Sequence, residues 1–396
     1  MGGEKNIILK NGKLILPDRI LNNASLKIAN GLIVDYGLEL ACDAESEVLD
    51  VNGQFIAPGF VDMHVHGGGG ADFMDGTVEA FLTVVQTHAQ YGTTSIVPTT
   101  LTSTTDELFA LFDIYEQALR KNTEGARMLG LHLEGPYFSP EQCGAQDKTF
   151  LKNPDPTEYR KILQSTNRIL RWSIAPELSG ALEMCEELIT RDIVVSIAHS
   201  NATYEEAVTA FDKGFSLITH LYSAMSSITR RNAYRYAGVL ESAYLIDEMD
   251  VEIIADGIHL PKSLLQFVCK FKDRSRIALI TDAMRGAGMP EGIYKLGSLE
   301  KGQPVLVEDG VAKLMDRTAF AGSVATSNRL VKNMVELGGV DLVEAVKMAS
   351  LNPARMLGFD HKIGSIEKGK IADIILFDSK YNVSRTMIKG KTVYIK

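Results

Sequence analysis

Eight short apolar runs between Val61 and Asp282 constrain the fold more than any other feature of the chain. They are Val61–His66, Thr94–Thr99, Met128–Glu134, Ile169–Ala175, Ile193–His199, Phe215–His220, Val251–Asp256 and Arg276–Asp282. None alternates cleanly as a half-exposed strand would, and all are too short for a buried helix, so they read as parallel strands covered on both faces. They recur at roughly 20 to 40 residues, the spacing of strand–helix units. Most intervals carry a helical pattern: Val78–Gln90, Asp106–Arg120, Ala181–Thr190, Tyr204–Lys213 and Ser263–Phe271. Thr203 followed by Glu206 is a capping box that starts the fourth of these. Eight such units in succession predict an α/β fold, a (β/α)8 TIM barrel, with an open doubly wound sheet as the alternative.

The two ends have a different texture. Asn6–Leu9, Lys13–Leu16, Ser25–Ala29 and Leu32–Tyr36 are short apolar segments separated by Asn-Gly, Pro-Asp, Asn-Asn and Asn-Gly turns. Ile371–Phe377, Thr386–Ile388 and Thr392–Ile395 repeat the pattern around a Lys389-Gly390-Lys391 turn. A small β-sandwich domain built from both termini follows, with residues 1–56 and 358–396 flanking a barrel of residues 57–357. The Gly-rich stretch Gly286–Gly322 is too long for an ordinary connection and is expected to cover the barrel mouth. Helices near Asn328–Leu337 and Leu342–Ala349 lead back to the terminal domain.

Composition narrows the function classes. The 396 residues are 45% hydrophobic and 23% charged, which suits a globular enzyme-sized chain rather than a disordered one. No uninterrupted apolar run reaches the roughly 20 residues of a membrane span. Met1–Asn6 opens neither a signal peptide nor a myristoylation motif, and cytoplasmic residence is the expectation. A formal charge of −9 argues against nucleic acid as a partner but leaves room for one local basic pocket. Cys42, Cys143, Cys185 and Cys269 form no Cys-x-x-Cys pair and read as small buried residues in a reducing compartment.

Histidine is scarce, eight in the chain, so its placement carries information. His66, His199 and His220 close predicted strands, His64 lies two residues before His66 on the same strand face, and His259 lies just past a strand end. Glu134 and Asp282 close two more strands. In a barrel all these ends open on one face, so residues distant in sequence converge. One such histidine alone is more often a hydrogen-bonded structural residue than a ligand. The full set points instead to a catalytic divalent cation, Zn, Fe, Mn or Co, held without thiolates. His132 is left out of the set, His88 and His361 read as structural, and Asp62 is expected to orient a ligand. The Gly67–Gly70 run lacks the Lys-Ser/Thr of a phosphate loop and reads as close backbone approach.

Pro58-Gly59-Phe60-Val61-Asp62-Met63-His64-Val65-His66-Gly67 resembles the opening signature of the amidohydrolase superfamily. His132-Leu133-Glu134-Gly135-Pro136, Ala198-His199-Ser200-Asn201-Ala202, Thr219-His220-Leu221-Tyr222, Ala255-Asp256-Gly257-Ile258-His259 and Thr281-Asp282-Ala283 together resemble its N-acetylglucosamine-6-phosphate deacetylase family. The resemblance implies one divalent metal on Glu134, His199 and His220, and a second on His64 and His66 with Glu134 bridging. It implies Asp282 as catalytic acid/base, His259 on the acetyl carbonyl, and Arg231 on the phosphate. Ala145, Ser223 and Ala224 complete the implied substrate contacts, the last two through backbone N–H groups. Ser223 stands where many members carry Asn, and the Arg230–Tyr236 segment departs from the family's usual Gly-Arg-Glu-Pro-Gly-like run.

The implied reaction is metal-dependent hydrolysis of the acetamide of N-acetylglucosamine 6-phosphate to glucosamine 6-phosphate and acetate. The implied assembly is a homodimer, with the 230–236 segment reaching toward the neighbour. A deacetylase of N-acetylgalactosamine 6-phosphate or another N-acyl compound is the alternative on the same metal site. A non-catalytic assembly scaffold is a remote one, since such a protein would be expected to have lost the ligands or Asp282.

Overall fold

The computed structural model describes residues 6–40 and 46–396; the readings of Met1–Lys5 and Cys42 lie outside them. Strands from both ends of the chain hydrogen-bond into one eight-stranded sheet. The strands expected to form a β-sandwich are all hydrogen-bonded into this sheet, and one short strand joins the two ends. Phe55–Pro58 runs parallel to Ile7–Ile15 and antiparallel to Ile374–Phe377. Leu9, Leu14, Ile28, Ile33, Ile56, Ile374 and Met387 share a core cluster drawn from both termini.

The expected turn at Asn11-Gly12 does not break the strand. Ile7–Ile15 is continuous, with a bulge where the register shifts between Leu9 and Gly12 and Asn11 takes a φ of 59°. Asn23, on the paired strand Ile20–Ala29, likewise has a φ of 53°. Asparagine tolerates the left-handed region, so these positions absorb an irregularity that looks like a turn in the sequence. Gly12 is needed there, since a Cβ would lie 2.4 Å from Ile56 Cδ1. The Asn30-Gly31 turn is a true hairpin between Ile20–Ala29 and Leu32–Gly37, with both residues at positive φ.

The central strands are parallel and follow chain order. Phe60–Val65, Thr93–Pro98 and Arg127–Met128 form one group. Leu131–Glu134, Ile169–Ile174, Val194–Ile197, Phe215–Ile218, Asp250–Ile253 and Ile277–Leu279 form the other. The groups approach each other at both edges. Thr100 N–H donates to His132 O at 3.0 Å, and Asp282 N–H donates to His64 O at 2.9 Å. Helices Val78–Gln90, Thr105–Lys121, Ala181–Ile189, Tyr204–Lys213 and Lys262–Phe271 lie in the expected intervals. Thr105–Lys121 buries Leu108, Leu111, Phe112, Tyr115 and Ala118, one face at helical spacing. The Thr203–Glu206 capping box is present as expected. Pro156–Ser165 is a further helix, with Asp155 as its cap and Pro at its first turn.

The Gly286–Gly322 stretch, expected to cover the barrel mouth, has regular structure of its own. Gly292–Leu296, Gln303–Glu308 and Val311–Leu314 make a three-stranded antiparallel sheet with its own small core. Buried Arg285 fastens it, donating to Lys295 O, Gly297 O and Gly70 O and pairing with Asp75. No helix among the described residues is long and apolar enough to cross a membrane.

Candidate metal centre and active site

The predicted ligands meet above the C-terminal ends of the central strands. His66, His199, His220 and Asp282 lie one to three residues beyond the strands rather than closing them, the strands ending at Val65, Ile197, Ile218 and Leu279. The chain turns sharply there: His199, His220 and Asp282 adopt φ of 47°, 32° and 46°. Left-handed backbone is costly for such residues and persists where the surroundings hold it, commonly at functional sites.

Glu134 sits at the centre. Its Oε1 lies 3.4 Å from His64 Nε2, 3.4 Å from His199 Nε2 and 3.2 Å from His220 Nε2. Its Oε2 lies 3.4 Å from His66 Nε2. The two imidazole pairs, His64 with His66 and His199 with His220, each bring Nε2 atoms to 3.3 Å. Asp282 Oδ1 lies 3.2 Å from His66 Nε2 and 3.5 Å from His64 Nε2. Glu134, His64 and His66 form one group able to hold a cation, and Glu134, His199 and His220 a second.

Proton positions test whether a cation fits. His199 Nδ1 donates to Gln142 O at 2.9 Å, so its Nε2 presents a lone pair in the neutral ring. His64 Nδ1 faces Glu252 Oε2 at 3.4 Å, which leaves its Nε2 bare in the same way. Bare nitrogens directed at a carboxylate oxygen are acceptors facing an acceptor. A divalent cation between them resolves the conflict, and the donor set is one that binds zinc and similar ions. Without a cation the site draws protons instead. Burial works against charge on His66, but Asp282 and Glu134 prevail and raise its pKa to about 9; His220 is raised for similar reasons. Burial would raise the Glu134 and Asp282 carboxyls, yet the surrounding histidines hold both below the ordinary range, Glu134 far below.

The ligands open into a cavity of about 410 Å³ that Ala145, Ser223, Ala224, His259 and Asp282 also line. His259 Nδ1 donates to Asp256 Oδ2 at 2.8 Å, and the His259 ring packs on Phe320 with centroids 4.4 Å apart. Arg231 is the one predicted site residue that stands apart. It lies on an exposed hairpin, Thr229–Arg231 with Tyr234–Tyr236, its guanidinium 5.5 Å from the Tyr236 ring centroid, and it does not line the cavity.

The second layer differs from the sequence expectation. Asp62 does not face the His64 ring: it accepts from His64 N–H, Thr281 N–H and Thr281 Oγ1, tying the first central strand to the last. Burial lifts its pKa to about 7. Glu252 faces the ring instead, buried and paired with buried Arg171, whose Nη2 donates to Glu252 Oε2 at 2.9 Å. Both had a signal in the sequence, since a charge inside an otherwise apolar strand must find a partner. Gln146 was also missed and had no such signal. His132 is buried, bonded to Ser173 Oγ and Thr99 Oγ1 and edge-on to His64. His88 is buried with Nε2 on Gly67 O, and His361 is exposed.

The model of the amidohydrolase family matches residues 55–393. An N-acetylgalactosamine-6-phosphate deacetylase of Escherichia coli O157:H7 is 33% identical over 385 residues, 97% of this chain and 98% of that protein. An N-acetylglucosamine-6-phosphate deacetylase of Vibrio furnissii is 34% identical over 340 residues, covering 86% of this chain and 83% of that one. The crystal structure of N-acetylglucosamine-6-phosphate deacetylase from Pasteurella multocida superposes with a TM-score of 0.91 at 28% identity, covering 99% of this chain and 100% of that one.

Proposed function

The chain belongs to the amidohydrolase family, and from that premise we propose that it hydrolyses the acetamide of an N-acetylhexosamine 6-phosphate, N-acetylglucosamine 6-phosphate first, to acetate and the free amino-sugar phosphate. The observation that carries this reading is Asp282 beside two histidine–glutamate groups in one cavity. Glu134, His199 and His220 would hold one cation and His64, His66 and Glu134 a second; zinc is the ion we assign, from imidazole and carboxylate donors without thiolate. A bound cation of this kind polarises a carbonyl and makes water acidic enough to deliver a nucleophile at neutral pH. Asp282, ionised, accepts the proton of the attacking water and returns it to the departing nitrogen, which leaves poorly unless protonated. Asp256 fixes the His259 ring so that it meets the acetyl carbonyl as charge develops there. The family fold is a TIM barrel with an extra domain. We read the two strand groups as one closed barrel of residues 57–357 and the terminal sheet, residues 1–56 and 358–396, as that domain.

For the phosphate we propose the backbone N–H group of Ala224 together with Arg231, supplied by the neighbouring copy of a homodimer; the Ser223 N–H, expected beside it, donates instead to His220 O at 2.9 Å. The exposed hairpin of Arg231, away from its own chain's cavity, supports that assignment. A cytoplasmic location is the accompanying reading, supported by free, buried Cys143, Cys185 and Cys269. N-acetylgalactosamine 6-phosphate is the second substrate to weigh, because a relative matching nearly the whole chain carries that specificity in its name. The test is acetate release by purified, zinc-loaded protein from both phosphorylated epimers and from unphosphorylated N-acetylglucosamine. Release from the glucosamine epimer with a strong phosphate preference is expected; no release from either phosphorylated sugar removes the reading.

A further inference from the structure

Gln146 bridges the metal centre and a neighbouring loop. Its Nε2 donates to Glu134 Oε2 at 2.7 Å, and its Oε1 accepts from Thr102 N–H at 2.9 Å. The side chain is buried, so neither bond has water as an easy replacement. Its orientation follows from chemistry: a backbone N–H only donates, so the amide atom facing Thr102 is oxygen. The atom facing Glu134 is then the NH2 group, which only donates, and Oε2 must be an acceptor.

The two Glu134 oxygens are therefore unequal. Oε1 faces His64, His199 and His220 and takes no amide hydrogen bond, while Oε2 faces His66 with one lone pair already engaged by Gln146. A hydrogen bond to a carboxylate oxygen withdraws electron density from it and fixes the rotation of the group. We propose that Gln146 is a positioning residue that makes the two cation sites unequal: it holds Glu134 with Oε1 toward His199 and His220, where the first cation binds tightly, and weakens Oε2 for the second cation at His64 and His66. This rests on reading the cluster as a two-cation centre.

The experiment is calorimetric titration of metal-stripped protein with Zn2+, comparing wild type with Gln146→Leu and Gln146→Glu, and following folding by circular dichroism. In wild type two stepwise constants separated by at least about tenfold are expected. Gln146→Leu removes the donor and should narrow their ratio by about tenfold or more, within the range for losing an outer partner of a metal ligand. Gln146→Glu keeps an acceptor for Thr102 but replaces the donor to Glu134 Oε2 with a carboxylate oxygen, so the ratio should again narrow by about tenfold. A folded pair of variants whose ratio matches wild type overturns the role of Gln146. Should Gln146→Leu not fold, Gln146→Glu decides alone. Wild type that binds no Zn2+, or binds a single ion, overturns the two-cation reading itself, a result distinct from failure of the Gln146 role.

Discussion

At the scale of single residues the proposed mechanism separates groups that bind from groups that move protons. Asp282→Asn keeps size and much of the hydrogen bonding but cannot carry the proton, so kcat should fall at least about 10²-fold with KM little changed. A steady-state comparison with near-normal kcat would reduce Asp282 to a ligand. Glu252→Gln leaves His64 in place but weakens the carboxylate that fixes its tautomer. Zinc affinity at the His64–His66 site should drop about 10–100-fold, measured by competition with a chromogenic chelator. The histidines were legible because a scarce residue type recurs at equivalent ends of apolar runs, and Glu134 and Asp282 because they close two more such runs. Glu252 and Arg171 were visible as charges out of place, but their pairing required the strands to be neighbours in space. Gln146 was not legible at all: a glutamine in a loop has no signature until both of its partners are brought to it.

Among elements, the eight-run rhythm survived into the structure because a fully buried parallel strand leaves little freedom in composition. Errors gathered where asparagine and glycine serve more than one purpose. Asn11-Gly12 is a bulge, while Asp309-Gly310, with φ of 54° and 73°, is a hairpin of the small sheet inside the Gly286–Gly322 stretch. That dipeptide is a strong turn signal, masked by the glycines around it. The exposed hairpin of Arg231 gives the prediction that belongs to this scale. Arg231→Ala should raise KM for the phosphorylated sugar by the equivalent of about 1.5–3 kcal/mol and leave kcat nearly unchanged. The unphosphorylated sugar should scarcely respond; equal losses on the two would make the hairpin structural.

For the whole molecule, pH and metal act on one set of groups. In the metal-free protein the His66 pKa, about 9, stands above its ordinary 6.5, so its stabilisation is complete below pH 6.5 and is lost as pH rises through 9. Glu134 and Asp282 stand below their ordinary 4.5 and 3.8, so theirs is present above those values and is lost in acid. Thermal melts without metal should peak between these limits. Zinc displaces the protons, so its affinity should climb with pH across the same window. Calorimetry in buffers of different ionisation enthalpy would count the protons released, and a count of zero would contradict the assignment. If the hairpin acts across a dimer, sedimentation should give twice the chain mass, and dilution to monomers should remove the phosphate preference first.

The order in which the molecule is made adds one more consequence. Phe55–Pro58 leads within two residues into the strand carrying His64 and His66, yet its partner Ile374–Phe377 is more than 300 residues away. During synthesis that edge of backbone donors and acceptors waits, unpaired, through almost the whole length of translation. A chain stopped before Ile374 would contain every proposed metal ligand and still present an open, apolar seam to its neighbours. Nascent chains should therefore depend on chaperones until the last strands emerge, and a nonsense mutation late in the gene should yield aggregates rather than a shortened enzyme.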